Sequence, residues 1–210
     1  MNAQATATAW WANHPVDPAW MARYAESGGQ PHRALVVAAL KRLKPWTSLW
    51  EIGCHCGPML GAVQAAFPEA MMGGCDVNAG AVEAARAWLP SVVHGAFPGG
   101  TADLPDQSID VVLSCYALAY LSPEQIGVAL GEAARLARMA VVICEPMNFE
   151  GHTAKREGCS FSEWRHPYLH LLMSRPEAQG WTAACEDISN ELNYLSGLIV
   201  LERPCLTQPS

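Results

Sequence analysis

The sequence predicts an α/β protein with a doubly wound, mostly parallel sheet. Helical patterns and apolar, strand-like runs alternate along the chain with short connections. Two of these runs, Ile109–Cys115 and residues 140–144, are predominantly apolar, as strands buried on both faces of a parallel sheet are. Successive β-α steps with right-handed crossovers place helices on both faces of such a sheet. We therefore expect a three-layer sandwich.

In the first half of the chain, helix caps and prolines mark where the elements begin and end. Asp17-Pro18 is typical of a helix start, and Asn78 follows a strand at the place of an N-cap. The predicted elements are helices over 17–29 and 31–45, the strand Ser48–Ile52, a helix over 57–67, the strand Met71–Asp76, a helix over 78–90 and a short strand over 91–94.

The second half continues this alternation and then departs from it. Ser122-Pro123-Glu124-Gln125 is typical of a capping box that opens a helix after the strand Ile109–Cys115. The strand over 140–144 is followed by a polar, irregular stretch over 148–166 and by a helix over 167–179. The last two strands, over 181–188 and 194–201, are joined too closely for a crossover helix, so we predict an antiparallel hairpin at one edge.

Composition narrows the class of protein. Half of the 210 residues are hydrophobic and 16% are charged, which indicates a globular chain. We predict one compact unit with an N-terminal helical cap over 1–44 and a sheet domain over 45–210. The net charge of −7 argues against nucleic acid as a partner. The sequence shows neither an apolar run of membrane length nor a secretory signal, so we expect a cytoplasmic protein without a membrane partner.

The eight cysteines lie mostly in apolar, strand-like runs, which favours reduced thiols in the core. Cys54 and Cys56 are two residues apart, as metal ligands can be. No second Cys or His pair at finger spacing accompanies them, so we predict no metal site.

The stretch over residues 49–58 carries most of the functional information. An apolar run reaches the carboxylate of Glu51, two glycines follow at positions 53 and 57, and a helical pattern begins. A strand, a tight glycine turn and a helix N-terminus in this order bring a nucleotide-like ligand against bare backbone. Asp76 ends the next strand, where a carboxylate can bind ribose hydroxyls. His55 stands where such turns usually carry another glycine.

These segments resemble the class I S-adenosylmethionine-dependent methyltransferases. Residues 51–57 (EIGCHCG) resemble their first motif, and residues 74–78 (GCDVN) resemble the motif of their second strand. Residues 108–121 resemble their fourth-strand signature, and residues 164–168 before a helix resemble a late segment of the family. The four elements occur in family order and cover roughly residues 45–202.

The resemblance implies a seven-stranded sheet whose last strand is antiparallel, S-adenosylmethionine as cofactor and S-adenosylhomocysteine as product. Gly53, His55 and Gly57 would line the methionine and ribose, and Glu51 would lie near the ammonium. Asp76 would bind the ribose, and the adenine would lie near the following strand ends. The cofactor-binding positions expected in full are Glu51, Gly53, Cys54, His55, Gly57, Asp76, Val77, Ala96, Phe97 and Cys115.

The sign of the charge at Glu51 discriminates between cofactors. A carboxylate beside a cationic sulfonium is favourable, whereas the same carboxylate beside a diphosphate is not. The turn therefore favours S-adenosylmethionine over a nicotinamide dinucleotide. Two alternatives stay open: an inactive methyltransferase-fold subunit that activates a partner, with His55 blocking the pocket, and a nucleotide-dependent oxidoreductase.

The acceptor is predicted to be a small molecule of natural-product or sugar type that is methylated at oxygen or nitrogen. An alcohol must lose a proton, and His166 and His152 are the candidate bases. Tyr116 follows the fourth strand and either faces the methyl group or only packs. The protein is expected to be a monomer or a homodimer.

Three more segments bear on the acceptor. Arg156 and Arg165 belong to a cationic cluster that either anchors a phosphate or carboxylate or is a solvated loop, and Trp164 lies beside it. Trp11 belongs to an aromatic N-terminal region that forms either the core of a helical cap or a lid over the acceptor. Arg33 is a candidate for the cofactor carboxylate.

Overall fold

A computed structural model describes residues 7–43, 45–156, 162–192 and 195–204. Its centre is a seven-stranded sheet in which five neighbouring strands are parallel and the last strand of the chain runs antiparallel to both of its neighbours. The spatial order is β3 (Val92–His94), β2 (Met71–Asp76), β1 (Ser48–Ile52), β4 (Ile109–Cys115), β5 (Ala137–Pro146), β9 (Ser196–Glu202) and β8 (Thr182–Asp187). The predicted fold class is confirmed.

Helices cover both faces of this sheet, and a two-stranded ribbon lies beyond β5. The helices are α1 (Ala7–Asn13), α2 (Pro18–Glu26), α3 (Pro31–Arg42), α4 (Pro58–Ala66), α5 (Ala79–Arg86), α6 (Pro123–Leu136), α7 (Tyr168–Met173) and α8 (Ser189–Leu192); the ribbon is β6 (Ala154–Lys155) with β7 (Trp164–Arg165). No helix among the described residues is long and apolar enough to cross a bilayer.

The core consists of two apolar layers that the alternation of strand side chains separates. Along β1, Leu49 packs with the layer under α3, α4 and α5, whereas Trp50 and Ile52 pack with the layer under α6 and α7. Successive residues of a strand point to opposite faces, and both faces are buried here. This explains why the middle of a central strand such as β4, at positions 111–113, is apolar on both faces.

The predicted caps form where the sequence places them. The Asn78 side chain accepts a hydrogen bond from the Ala81 N–H at 3.0 Å at the start of α5. Ser122 and Gln125 form the capping box of α6. Asp17 accepts the Trp20 N–H at 2.7 Å at the start of α2. Each cap satisfies a backbone donor that the first helical turn leaves unpaired.

The structure corrects three elements in the last third of the chain. The short helix α8 lies between β8 and β9, where a direct connection was predicted, and Asp187 starts it by accepting the Ser189 N–H at 2.9 Å. The helix predicted over 167–179 ends at Met173, because Arg175 is extended before Pro176. The stretch predicted as irregular contains β6 and β7. The predicted start of the last strand, at 194, lies outside the described residues.

Candidate cofactor and acceptor site

The turn after β1 approaches two neighbouring strands closely. Gly53 has a φ of +67°, and the N–H groups of Gly53 and Cys54 both donate to the Cys75 carbonyl, at 2.8 and 3.1 Å. A Cβ atom on Gly53 would lie 2.4 Å from the Ala117 Cβ. Glycine is therefore required here by conformation and by space. The result is a floor of bare backbone at the carboxyl ends of β1, β2 and β4.

Asp76 is fixed at the end of β2 by two backbone donors. The His55 N–H donates to its Oδ2 at 2.9 Å, and the Asn78 N–H donates to its Oδ1 at 2.8 Å. Burial raises the pKa of Asp76, while these hydrogen bonds oppose the rise. A carboxylate oxygen accepts more than one hydrogen bond, so both oxygens keep capacity for hydroxyl donors.

Glu51 is buried beside the same turn with one oxygen unused. Its side chain is 2% exposed, and its Oε2 has no hydrogen-bond partner in the described part of the chain. Burial raises the pKa of Glu51 to about 8, and the nearby Arg33 guanidinium acts against this rise. A buried carboxylate without a full set of partners is costly unless a cationic donor reaches it. The site thus fits an ammonium group.

A first pocket lies over the ends of β1, β2 and β3 and contains about 800 Å³ of empty space, part of it open to solvent. Asp76 and Gly53 line its floor, and Phe97 and Val77 line its far end. Its remaining wall comes from the segment after β4 and from the N-terminal helices. That wall includes Tyr116, Ala117, Leu118, Tyr120, Leu121, Trp11 and Tyr24.

A second, larger pocket adjoins the first on the other side of the turn and contains about 1670 Å³ of empty space. Glu51, Arg33 and His32 contribute its polar lining, together with residues at the ends of β1 and β4. The residues that line both pockets are Trp11, Tyr24, Gly53, His55, Tyr116 and Tyr120. These six residues form the junction between the two pockets.

The His55 imidazole is packed against the N-terminal helices. Its ring stacks on the Tyr24 ring with centroids 4.2 Å apart and lies 6.1 Å from the Trp11 ring. Burial, and then the neighbouring His14, lower the pKa of His55 to about 4. The Asn78 side chain donates to the Trp11 and His14 carbonyls at 2.8 Å, which ties this region to the start of α5. The histidine in the glycine turn is therefore a docking point for α1 and α2.

Glu145, at the end of β5, organises the segment that carries the shared tyrosines. Its carboxylate accepts hydrogen bonds from the Ser114 hydroxyl at 2.6 Å and from the N–H groups of Ala117 at 2.8 Å, Leu118 at 3.0 Å and Ala119 at 3.3 Å. Burial raises the pKa of Glu145 to about 7. Glu145 has no predicted role, although a carboxylate near the end of a buried strand is a signal that could have indicated one.

Most of the residues predicted to bind the cofactor line one of the two pockets. Gly53, His55, Asp76, Val77, Ala96 and Phe97 line the first pocket, and Glu51, Cys54 and Cys115 line the second. Gly57 lines neither; it is the N-cap residue of α4 with a φ of +85°. Trp11 and Tyr116 lie at the junction.

The structure does not bring the predicted bases to either pocket. His166 is fully buried, with its Nδ1 3.1 Å from the Thr153 hydroxyl and its Nε2 3.0 Å from the Leu121 carbonyl. His152 is exposed on the loop after β5, near Asn148. His166 instead supports the Leu121 end of the pocket wall.

The predicted acceptor-binding residues of the ribbon also lie away from the pocket linings. Arg156 forms an ion pair with Glu163 at 3.0 Å, and the Lys155 Nζ lies 5.7 Å from the centre of the Trp164 ring. Arg165 is half-buried in β7. Much of this cationic cluster is thus engaged within the ribbon.

The comparisons with known proteins agree with this geometry. Residues 50–139 match the model of a family described as a methyltransferase domain. A comparison with functionally curated proteins gives no match.

Solved structures share the fold at low sequence identity. A chain of the complex that contains the Haloferax volcanii Trm112 methyltransferase activator is 16% identical, with 91% of this chain and 97% of that chain covered and a TM-score of 0.64. Magnesium protoporphyrin IX methyltransferase from Synechocystis PCC 6803 with bound S-adenosylmethionine is 17% identical, with 94% of this chain and 90% of that chain covered and a TM-score of 0.60. An S-adenosylmethionine-dependent methyltransferase from Archaeoglobus fulgidus is 17% identical, with 89% of this chain and 100% of that chain covered and a TM-score of 0.62.

Residues 50–139 thus resemble a methyltransferase domain, and the chain shares the fold of solved S-adenosylmethionine-dependent methyltransferases.

Proposed function

We propose that this protein binds S-adenosylmethionine across the Gly53 turn and transfers its methyl group to an oxygen or nitrogen of a small molecule. The observation that carries the proposal is the buried, unpartnered Oε2 of Glu51 beside bare backbone. A methionine ammonium supplies both the charge and the donors that this oxygen lacks.

The other ends of the cofactor have matching groups in the pockets. Asp76 would accept hydrogen bonds from the ribose hydroxyls with the capacity left by its two backbone donors. Val77 and Phe97 would flank the adenine, with Ala96 beside them. Arg33 lines the second pocket, where its guanidinium is anchored by the Ser27 carbonyl at 2.8 Å, and it would bind the methionine carboxylate.

The acceptor would enter the second pocket and reach the methyl group at the junction. The sulfonium supplies an activated methyl group when the cofactor is bound. The chain contributes binding, alignment and exclusion of water, which is what an in-line displacement requires of a protein. Helices α1 and α2 form one wall of this junction through Trp11 and Tyr24. We therefore retain the interpretation of the N-terminal region as a cap.

The proposal of a small acceptor has two supports. The protein has a net charge of −7, which disfavours a polyanion, and the second pocket has room for the methionine half of the cofactor plus a small molecule. The Synechocystis protein is named for a porphyrin substrate, which is also a small molecule.

Calorimetric titration with S-adenosylhomocysteine tests cofactor binding. We expect a micromolar dissociation constant that the substitution Asp76→Asn weakens about thirtyfold, because the amide removes the charge and one acceptor oxygen. The matched control is Asp103→Asn, which changes an exposed carboxylate outside both pockets and should leave the constant unchanged.

Two results would contradict the proposal. If the wild-type chain gives no heat of binding and His55→Gly creates binding, the alternative of an inactive subunit with a blocked pocket is correct. If NADH binds in place of S-adenosylhomocysteine, the chain is an oxidoreductase.

A further inference from the structure

The acceptor side of the second pocket has mostly aromatic walls. Five aromatic side chains from α1, α2 and the segment after β4 line it: Trp11, Trp20, Tyr24, Tyr116 and Tyr120. The rings contact one another in tilted and edge-to-face geometries, with Trp11 5.5 Å from Tyr120 and Trp20 5.4 Å from Tyr24. Such walls favour a flat, polarisable ligand that can stack or pack edge-on.

The charged groups of this pocket are engaged or lie at its rim. Glu51 and Arg33 are assigned to the two ends of the cofactor methionine. The Arg23 guanidinium lies 5.2 Å over the Trp20 ring, and both Arg23 and Glu191 are exposed. An acceptor with a net charge would therefore find no buried counter-ion once the cofactor is bound.

His32 is one of the polar groups of this wall without a hydrogen-bond partner in the described part of the chain; the Trp20 Nε1 and the His55 Nε2 are others. It lies in the first turn of α3, is 9% exposed and packs 4.9 Å from the Tyr116 ring. Within the described part of the chain, neither of its ring nitrogens has a hydrogen-bond partner. Burial, and then the Arg33 charge, lower the pKa of His32 to about 4, so the imidazole is neutral and can accept a hydrogen bond.

Tyr116 holds the opposite side of this position in a strained conformation. Its φ is +58°, a left-handed value that is rare for a residue with a bulky side chain. The Tyr116 hydroxyl lies 2.9 Å from the Ser196 hydroxyl, which fixes the end of the ring. The ring is thus held between the junction and His32.

We propose that the second pocket accepts a planar aromatic molecule with a hydroxyl group and that His32 receives the proton of that hydroxyl. The proposal deepens the proposed function and rests on it. The hydroxyl oxygen forms the new bond to the methyl carbon, and the carbon–sulfur bond breaks with its electron pair on sulfur. The hydroxyl proton passes to a His32 ring nitrogen and then to water, so the products are the methyl ether, S-adenosylhomocysteine and one proton.

Binding to the complex with S-adenosylhomocysteine provides a test that is independent of turnover. The probes are 1-naphthol and 1-methoxynaphthalene, which share the ring but differ in the O–H donor. We expect 1-naphthol to bind about tenfold more tightly to the wild-type complex, since one hydrogen bond separates the two. His32→Phe keeps a ring against Tyr116 and should abolish this preference.

Turnover of 1-naphthol with S-adenosylmethionine separates positioning from proton transfer. His32→Phe should lower kcat about hundredfold. His32→Gln keeps a hydrogen-bond acceptor but cannot take the proton. Its KM should therefore stay within about threefold of the wild-type value, while its kcat should fall about as much as that of His32→Phe. The control His170→Asn changes an exposed histidine on α7, outside both pockets, and should leave both constants unchanged.

The result for each ligand distinguishes the two proposals. If S-adenosylhomocysteine does not bind, the proposed function fails and this inference fails with it. If S-adenosylhomocysteine binds but both naphthalenes bind equally or not at all, or if His32→Phe retains wild-type kcat, only the aromatic hydroxyl assignment is overturned. Methylation of ethanolamine in preference to 1-naphthol would also overturn it.

Discussion

The two sides of the site are built in different ways. The sheet side consists of backbone turns and two carboxylates, Glu51 and Asp76, at the ends of adjacent parallel strands. The cap side consists of aromatic side chains from α1 and α2, and their position depends on packing against His55. The sheet side, proposed to bind the cofactor, is therefore built from groups that are close together in sequence, whereas the cap side, proposed to contact the acceptor, is built from contacts between distant residues.

The largest effect is expected where the sheet side has no space. Gly53→Ala places a methyl group against Ala117 at a left-handed φ, which should lower the free energy of unfolding by about 3 kcal/mol and weaken S-adenosylhomocysteine binding at least hundredfold. Denaturant titration and calorimetry measure the two quantities.

The matched substitution is Gly61→Ala in α4. Nothing lies within 4 Å of a Cβ at this position, so alanine should stabilise the helix by about 0.5 to 1 kcal/mol without changing cofactor affinity. Equal effects of the two substitutions would show that the Gly53 turn does not form the close approach described above.

The Glu51 carboxylate gives the next largest effect. Because burial raises its pKa to about 8, the empty site is mostly protonated at pH 7, and an arriving ammonium should release that proton. Cofactor affinity should therefore increase between pH 6 and pH 8, and Glu51→Gln should lower affinity at pH 8 about thirtyfold and abolish the pH dependence.

Calorimetry in buffers with different ionisation enthalpies counts the released proton. Glu69→Gln, an exposed position, is the control. An affinity that is flat between pH 6 and pH 8 in the wild type would mean that Glu51 does not face the ammonium.

The fold and the sheet side could be predicted because their signals are local. Strand periodicity, the caps of α5 and α6, and the spacing from Gly53 to Asp76 each depend on a few neighbouring residues. The short helix α8 and the early end of α7 were not predicted. The Asp187 cap starts α8, and the extended residue before Pro176 follows the end of α7, so each boundary depends on only a few residues. Element boundaries of this kind carry little periodic signal.

The contact between His32 and Tyr116 could not be predicted in the same way. His152 and His166 carry the right chemistry in the sequence, but His166 is held by Thr153 and Leu121, away from both pockets. His32 follows a proline at a helix start, and nothing in its neighbours indicates that it meets Tyr116, which is 84 positions further along the chain. Such a contact depends on how α3 packs against the sheet, which no local pattern encodes.

A smaller effect tests how the cap docks on the turn. The folded-state pKa of His55, about 4, lies below its unfolded value of roughly 6.5. The contribution of the neutral His55 to the free energy of unfolding is therefore fully present above pH 6.5 and is lost as the pH falls toward 4. Between pH 7 and pH 5 the free energy of unfolding of the wild type should fall by about 1.5 kcal/mol more than that of His55→Gly. Denaturant titration at both pH values measures the difference, and parallel losses would mean that the cap does not bury a neutral His55.

A crystal structure with S-adenosylhomocysteine would show whether the cofactor crosses the Gly53 turn while the cap holds the His55 ring. We predict the ammonium at Glu51, the ribose hydroxyls at Asp76, the sulfur at the junction facing Tyr116, and His55 still stacked on Tyr24. A ligand bound elsewhere, or a His55 ring that leaves Tyr24 and fills the space above Gly53, would contradict it.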